Sequence, residues 1–159
     1  MAVEKNVKNA YDVYQTLCQM LDDLKLKYSR EDDDFSITVG IQGDDFPVRM
    51  VIRVNPDKAL ISVFSKIPFT VSEEKRVELS VAVSMANYLL VDGNFDYNIA
   101  NGDIIFRLTS SYLDSLIGKD LLEYMLMVSY KTIDDFNDKF FMLMKEKMTI
   151  DEFAEVIKH

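Results

Sequence analysis

The chain has 159 residues, 48% of them hydrophobic and 28% charged, and its formal net charge is −9 at pH 7. This length predicts one domain over residues 1–159 with a core of its own, and the lack of a long apolar run or a signal-peptide pattern predicts a cytoplasmic protein without a membrane span. The acidic balance argues against nucleic acid and anionic membrane surfaces as partners, because both attract proteins mainly through Lys and Arg.

The first predicted element is an amphipathic helix over residues 7–28, in which apolar side chains recur at helical spacing. Cys18 lies in that apolar stripe, so we interpret it as a buried small hydrophobic residue rather than a nucleophile. Residues 31–34 are all acidic, but they lack the glycine and the alternating ligand spacing of a calcium loop. The pattern favours a solvated loop here over a metal site.

Three strands are predicted next, because apolar side chains alternate with other residues over 35–41, 48–54 and 59–64. Pro56 suits the first central position of the turn between the second and third strands. A regular turn there gives three core-facing pairs: Val54 with Ala59, Ile52 with Ile61, and Met50 with Val63. A β-bulge would exchange the two faces, so the assignment depends on regular pairing.

The opposite face of these strands mixes apolar and arginine side chains that no predicted element covers. Such a mixture is typical of a protein interface, whereas isolated exposed apolar residues are also ordinary, and both interpretations stay open. The candidate protein-binding face consists of Arg49, Val51, Arg53, Leu60, Phe64 and Ile105.

A central helix should begin near Val71, because residues 70–73 have the Thr-to-Glu spacing of a capping box. Its apolar residues lie on nearly all sides, which indicates burial on more than one side. One side should lie on the sheet, and another should meet either the C-terminal helices or a second copy of the chain. Leu79 and Val83 are the candidate dimer contacts. Gly93 suits a left-handed residue at the helix end.

A tight hairpin follows, because Asn101 and Gly102 form the preferred pair for a two-residue type I′ turn. This turn predicts three pairs on the core face: Ile99 with Ile104, Tyr97 with Phe106, and Phe95 with Leu108. On the opposite face it pairs Asp96 with Arg107, which are oppositely charged and exposed.

The C-terminal part is predicted to be helical over residues 119–147, where residues 132–135 could form a kink. A second capping-box spacing at residues 149–152 predicts a last short helix. The only histidine is His159, and the sequence has no Gly-rich phosphate loop, no paired-Cys spacing and no nucleophile motif. We therefore predict no catalytic residue, no cofactor and no metal ligand.

Four segments, at residues 66–71, 83–87, 93–96 and 101–107, resemble the YbjN-like family of bacterial sensory-transduction regulators, whose fold is that of the type III secretion chaperones. The predicted elements and this resemblance lead us to expect an α+β fold with a five-stranded, mostly antiparallel sheet, helices on one face and the order α-βββ-α-ββ-α-α. The resemblance further implies a non-enzymatic, often dimeric protein that works by binding other proteins.

Three functional hypotheses follow. The first is a regulatory or adaptor module that acts through protein–protein contacts as a homodimer. The second is a type III secretion-type chaperone that holds an extended client segment on the outer sheet face or along the first helix. The third, from another class, is a small enzyme or metal binder that uses acidic residues.

Overall fold

The computed structural model describes residues 2–159, and within them six strands form an antiparallel sheet. The strands are β1 (Tyr28–Glu31), β2 (Ser36–Gln42), β3 (Pro47–Asn55), β4 (Leu60–Lys66), β5 (Asn94–Asn98) and β6 (Asp103–Ser111), in the sheet order β1-β2-β3-β4-β6-β5. The helices are α1 (Ala2–Asp23), α2 (Arg76–Leu89), α3 (Lys119–Met144) and α4 (Ile150–Val156). The predicted α+β class is confirmed, and the sheet has one strand more than predicted.

The core lies between the sheet and the helices, and alternation along the strands decides which side chains enter it. In β3, Met50 and Ile52 are 0% and 1% exposed, whereas Arg49 and Arg53 are exposed. Helices α1 and α3 pack against β3, and α3 also packs against β4 and β6. The helices therefore cover the face that carries the buried side chains.

The additional strand, β1, arises because α1 ends earlier than predicted. Lys25 has a φ of 56°, and the amides of Lys25 and Leu26 donate to the carbonyl oxygens of Asp22 (2.9 Å) and Leu21 (3.0 Å). This is the Schellman pattern, which closes a helix through one left-handed residue. The chain then turns back, and β1 pairs antiparallel with β2. The predicted helix over residues 7–28 is thus too long at its C-terminal end.

Both predicted hairpins form, but each register differs by two residues from the prediction. The observed core-facing pairs include Val54 with Ile61, Ile52 with Val63, Tyr97 with Ile104, and Phe95 with Phe106. Because side chains alternate with a period of two, a slip by two residues returns each strand residue to the same face. The predicted pairs are wrong, whereas the predicted core face is confirmed, except that Ile99 lies in the loop and is 50% exposed.

The slips have the same cause, because both loops contain four residues where a two-residue turn was predicted. Asn55 and Asn98 each accept a hydrogen bond at Oδ1 from a loop amide, at 3.0 Å in both loops. The last loop residue has a positive φ in both, 50° at Ala59 and 81° at Gly102. These local hydrogen bonds favour the longer loop over the two-residue turn.

Helix α2 begins later than predicted because Gly102 of the β5–β6 loop and Asp103 at the start of β6 hold the two residues expected to start it. Thr70 Oγ1 donates to Asp103 Oδ1 (3.3 Å), and the amide of Val71 donates to the carbonyl oxygen of Gly102 (2.9 Å). The predicted capping box at Thr70 is therefore wrong. A short 3-10 turn at Glu73–Lys75 leads into α2 instead.

The two C-terminal helices follow the prediction more closely. Helix α3 runs through residues 132–135 as one continuous α-helix. The predicted capping box of α4 is confirmed: Thr149 Oγ1 accepts from the amide of Glu152 (3.2 Å), and Glu152 Oε2 accepts from the amide of Thr149 (2.7 Å). Of the helices in residues 2–159, none is both long and apolar enough to cross a lipid bilayer.

Replacing Gly102 with alanine should lower the free energy of unfolding by roughly 1–3 kcal/mol. Gly102 has a positive φ, and a Cβ there would lie 2.3 Å from the carbonyl oxygen of Val71. Urea denaturation measures the change. Gly40→Ala is the matched control, because a Cβ at Gly40 meets nothing within 4 Å, and it should change stability by less than about 0.5 kcal/mol. Equal effects of the two substitutions would contradict the placement of Gly102 against Val71.

Candidate protein-binding face

The face of the sheet turned away from the helices carries the six residues predicted to bind a protein. We call this surface the outer face and define it by the outward-pointing side chains of β3, β4 and β6. The pairing of these strands brings the side chains next to one another, since Val51 lies opposite Phe64 and Phe64 lies opposite Arg107. The predicted members, all exposed or half-buried, are Arg49, Val51, Arg53, Leu60, Phe64 and Ile105. The structure brings all six onto one surface, and their role in binding stays a prediction.

Two shallow hollows adjoin on the outer face. The first has a volume of about 470 Å³ and is lined by Arg49, Val51, Arg53, Phe64, Lys66 and Ile105. The second has a volume of about 620 Å³ and extends past Leu60 toward Asp92 and Lys58. Arg53 and Phe64 line both hollows, so the two hollows meet at these side chains.

Two cationic side chains of the outer face have carboxylate partners. Arg107 Nε lies 3.0 Å from Asp96 Oδ2, and Lys66 Nζ lies 2.7 Å from Asp103 Oδ1. The predicted pair of Asp96 and Arg107 is therefore formed, although it is diagonal, because Asp96 lies directly opposite Ile105. The hydrogen bond from Lys66 holds the pKa of Asp103 below its usual range. These pairs neutralise the β5 side of the outer face.

The two arginines of β3 are not neutralised in this way. Among the side chains that the structure describes, those of residues 6–159, the guanidinium groups of Arg49 and Arg53 have no ion-pair partner. Both are exposed, and they lie two residues to either side of Val51, which is half-buried against Phe64. A chain with a net charge of −9 thus places two unpaired cations beside an apolar pair.

Sequence reasoning missed Lys66 and left Arg107 outside the candidate face. Lys66 continues the alternation of β4 two residues after Phe64, so extending the strand pattern by one position would have found it. Arg107 joins the surface through the pairing of β4 with β6. That pairing links strands separated by α2 and β5, so no short-range sequence signal gives its register.

The residues predicted to contact a second copy, Leu79 and Val83, lie in the core of the same chain. They are 0% and 4% exposed, because α3 and α4 both pack against α2. This placement corrects the expectation that they face a partner. Three of the apolar residues that α2 does expose share another side of the helix: Val77, Val81 and Tyr88 are 71%, 45% and 90% exposed. We call these three residues the α2 stripe.

Outside the outer face, two reactive side chains, those of Cys18 and Asp32, are buried or are hydrogen-bonded to neighbouring residues. Cys18 is 3% exposed, which confirms the prediction of a buried residue, and burial raises the pKa of its thiol. Asp32 accepts hydrogen bonds from the Tyr14 hydroxyl (2.8 Å) and from Arg30 Nε (2.9 Å), which lower the pKa of its carboxyl. Among the described residues, no three His, Cys, Asp or Glu side chains are grouped so that they could hold a metal ion.

Comparison with known proteins bears on both the family and the fold. The model of the YbjN family, described as "Putative bacterial sensory transduction regulator", matches residues 14–142. The search of curated proteins finds no match. The structure of YbjN from E. coli has a TM-score of 0.56 to this chain at 15% sequence identity, covering 76% of this chain and 85% of that one.

Two further solved structures share the fold. A chain of the HopA1–SchA chaperone–effector complex has a TM-score of 0.56 at 9% identity, covering 83% of this chain and 97% of its own length. A chain of the ExsC–ExsE complex has a TM-score of 0.50 at 9% identity, covering 86% of this chain and 93% of its own length. The predicted resemblance to the YbjN-like family and to the secretion-chaperone fold is confirmed.

Two phenylalanines on opposite faces of the sheet test which face is the core. Phe106→Ala should lower the free energy of unfolding by about 3–5 kcal/mol, because Phe106 is fully buried. Phe64→Ala on the outer face should lower it by only about 1 kcal/mol, because that side chain is only half-buried. Urea denaturation of both variants measures the difference. A larger loss for Phe64→Ala would contradict the assignment of the two faces.

Proposed function

Because the chain belongs to the YbjN family, we propose that it is a cytoplasmic, non-enzymatic regulatory or adaptor module that works by binding another protein. The proposed binding surface is the outer face, and the 159 residues act as one domain. The observation that carries the proposal is the uncovered apolar pair of Val51 and Phe64 between two unpaired arginines. Arginine and aromatic side chains are enriched at protein interfaces and dominate their binding energy.

Proteins of the same fold support a binding role. The comparisons include one chain crystallised in a chaperone–effector complex, HopA1–SchA, and another in the ExsC–ExsE complex. Each covers more than 80% of this chain, so the layout of sheet and helices is shared. This likeness favours a second candidate function, in which the chain acts as a secretion-type chaperone and holds an extended client segment on the outer face.

We also propose that the protein is a homodimer and that the α2 stripe forms the contact. Val77, Val81 and Tyr88 present apolar surface that no other element of the described chain covers. A helix that is apolar on more than two sides needs a further neighbour. Two copies related by a two-fold axis would bury the same stripe on each chain, as closed homodimers do.

The outer face should be required for partner binding. Immobilised full-length protein, incubated with an extract of its native cells, should retain a partner that Val51→Asp and Phe64→Asp release, because each replaces apolar surface of the interface with a carboxylate that loses its hydration on binding. Quantitative mass spectrometry measures the retained protein. Tyr11→Asp is the matched control, since Tyr11 is 53% exposed on α1. Equal retention by all three variants would contradict the assignment of the binding surface.

The α2 stripe should control the oligomeric state. Light scattering behind a sizing column should give twice the 18.4 kDa of one chain at tens of micromolar. Val81→Glu and Tyr88→Glu should shift the mass to that of a monomer, because each places a charge in the proposed contact. Lys131→Glu on exposed α3 surface should leave the dimer intact. A monomeric wild-type protein would overturn the dimer proposal without affecting the outer face.

A further inference from the structure

We propose that the outer face binds an extended acidic segment of the partner, in which one apolar side chain lies between two carboxylates, each two residues away. This inference rests on the proposed function, because it specifies the partner chemistry that the same face recognises. Three features of the molecule support this partner chemistry: the spacing of three side chains on β3, the apolar pair of Val51 and Phe64, and the charge of the molecule as a whole.

Spacing along β3 defines the pattern. Arg49, Val51 and Arg53 occupy alternate positions of one strand and point to the same face. A strand rises by about 3.3 Å per residue, so the two arginines are separated by about 13 Å along β3. A peptide that lies extended along the strand presents its own alternate side chains with the same period. Carboxylates four residues apart on that peptide would therefore reach both guanidinium groups at once.

The middle residue of the bound peptide should be apolar because the residues beneath it are apolar. Val51 lies directly opposite Phe64, and Ile105 lines the same hollow. An apolar side chain placed between the two carboxylates would rest on these three residues and bury part of their exposed surface. Burial of apolar area supplies affinity, whereas the two flanking ion pairs fix the register of the peptide.

The distribution of charge on the outer face favours this place for an acidic segment. The other two cations of the outer face are occupied, since Lys66 is paired with Asp103 and Arg107 with Asp96. The guanidinium groups of Arg49 and Arg53 are available, whereas the chain as a whole has a net charge of −9, so these two arginines are the cations of the outer face that can pair with an anionic segment.

One further carboxylate belongs to the same row of the sheet. Glu31 of β1 lies opposite Ser36, which in turn lies opposite Arg53. Glu31 is therefore two strands from Arg53, with about 10 Å between the two backbones at the usual strand spacing, and the two side chains form no ion pair in the described part of the chain. Its position disfavours a long polyanion running across the strands, such as a nucleic acid with one phosphate at every nucleotide. A short segment with two carboxylates along β3 avoids it.

Fluorescence anisotropy with two labelled peptides of identical composition tests the inference. The matching peptide contains Glu-Ser-Phe-Ser-Glu, and the control contains Ser-Glu-Phe-Glu-Ser, both in the same flanking sequence. The full-length protein should bind the matching peptide at least about fivefold more tightly, and added salt should reduce that preference. Replacing both arginines, in Arg49→Gln/Arg53→Gln, should remove the preference. Lys27→Gln, which changes an exposed cation on the chain preceding β1, should preserve it.

Several outcomes would overturn the inference. Equal affinity for the two peptides, or unchanged affinity in Arg49→Gln/Arg53→Gln, would exclude the proposed pattern. Stronger displacement of the matching peptide by oligothymidine than by unlabelled peptide would make nucleic acid the occupant. If the same double variant converts a dimer to a monomer, the outer face binds a second copy of this chain and not a partner peptide. If Val51→Asp and Phe64→Asp still release the native partner while the peptides show no preference, the proposed function stands and this inference fails.

Discussion

Alternation of side chains along the strands is the constraint on which the rest of the structure depends. Successive residues of a strand point to opposite faces, so the burial of Met50 and Ile52 against the helices forces Arg49, Val51 and Arg53 outward. A slip by one residue would bury the two arginines under α1 and α3, at a desolvation cost that this fold could not offset. The same alternation therefore fixes both the core and the face that we assign to binding.

The period of two also explains which features of the fold can be predicted from the sequence. The faces of β3, β4, β5 and β6 follow from apolar spacing alone, and so do the helices apart from the end of α1 and the start of α2. The capping box of α4 follows from the Thr-to-Glu spacing at Thr149. The registers do not, because loop closure decides them: Asn55 and Asn98 accept loop amides and lengthen both turns by two residues. A two-residue slip keeps every strand residue on its face, which is why the candidate face survives although the predicted pairs are wrong.

Other features depend on long-range contacts or on rare backbone geometry, and sequence patterns do not report either. Thr70 has the spacing of a helix cap, but its hydroxyl donates to Asp103, 33 positions further along the chain. Lys25 ends α1 in a left-handed conformation that glycine usually adopts. Leu79 and Val83 are apolar as a contact requires, but the packing of α3 and α4 on α2 buries them in their own chain. Apolar spacing shows that a side chain is buried, but it does not show whether the same chain or a second copy buries it.

An acidic molecule of the YbjN family presents a basic and apolar outer face, and binding there requires that this face is open in the free protein. Hydroxyl-radical footprinting of the full-length chain, read by mass spectrometry, measures this directly. Phe64 and Leu60 should be oxidised readily, whereas Phe106 and Met50, which are fully buried, should be protected until the protein unfolds. Protection of Phe64 equal to that of Phe106 in the free protein would contradict the account.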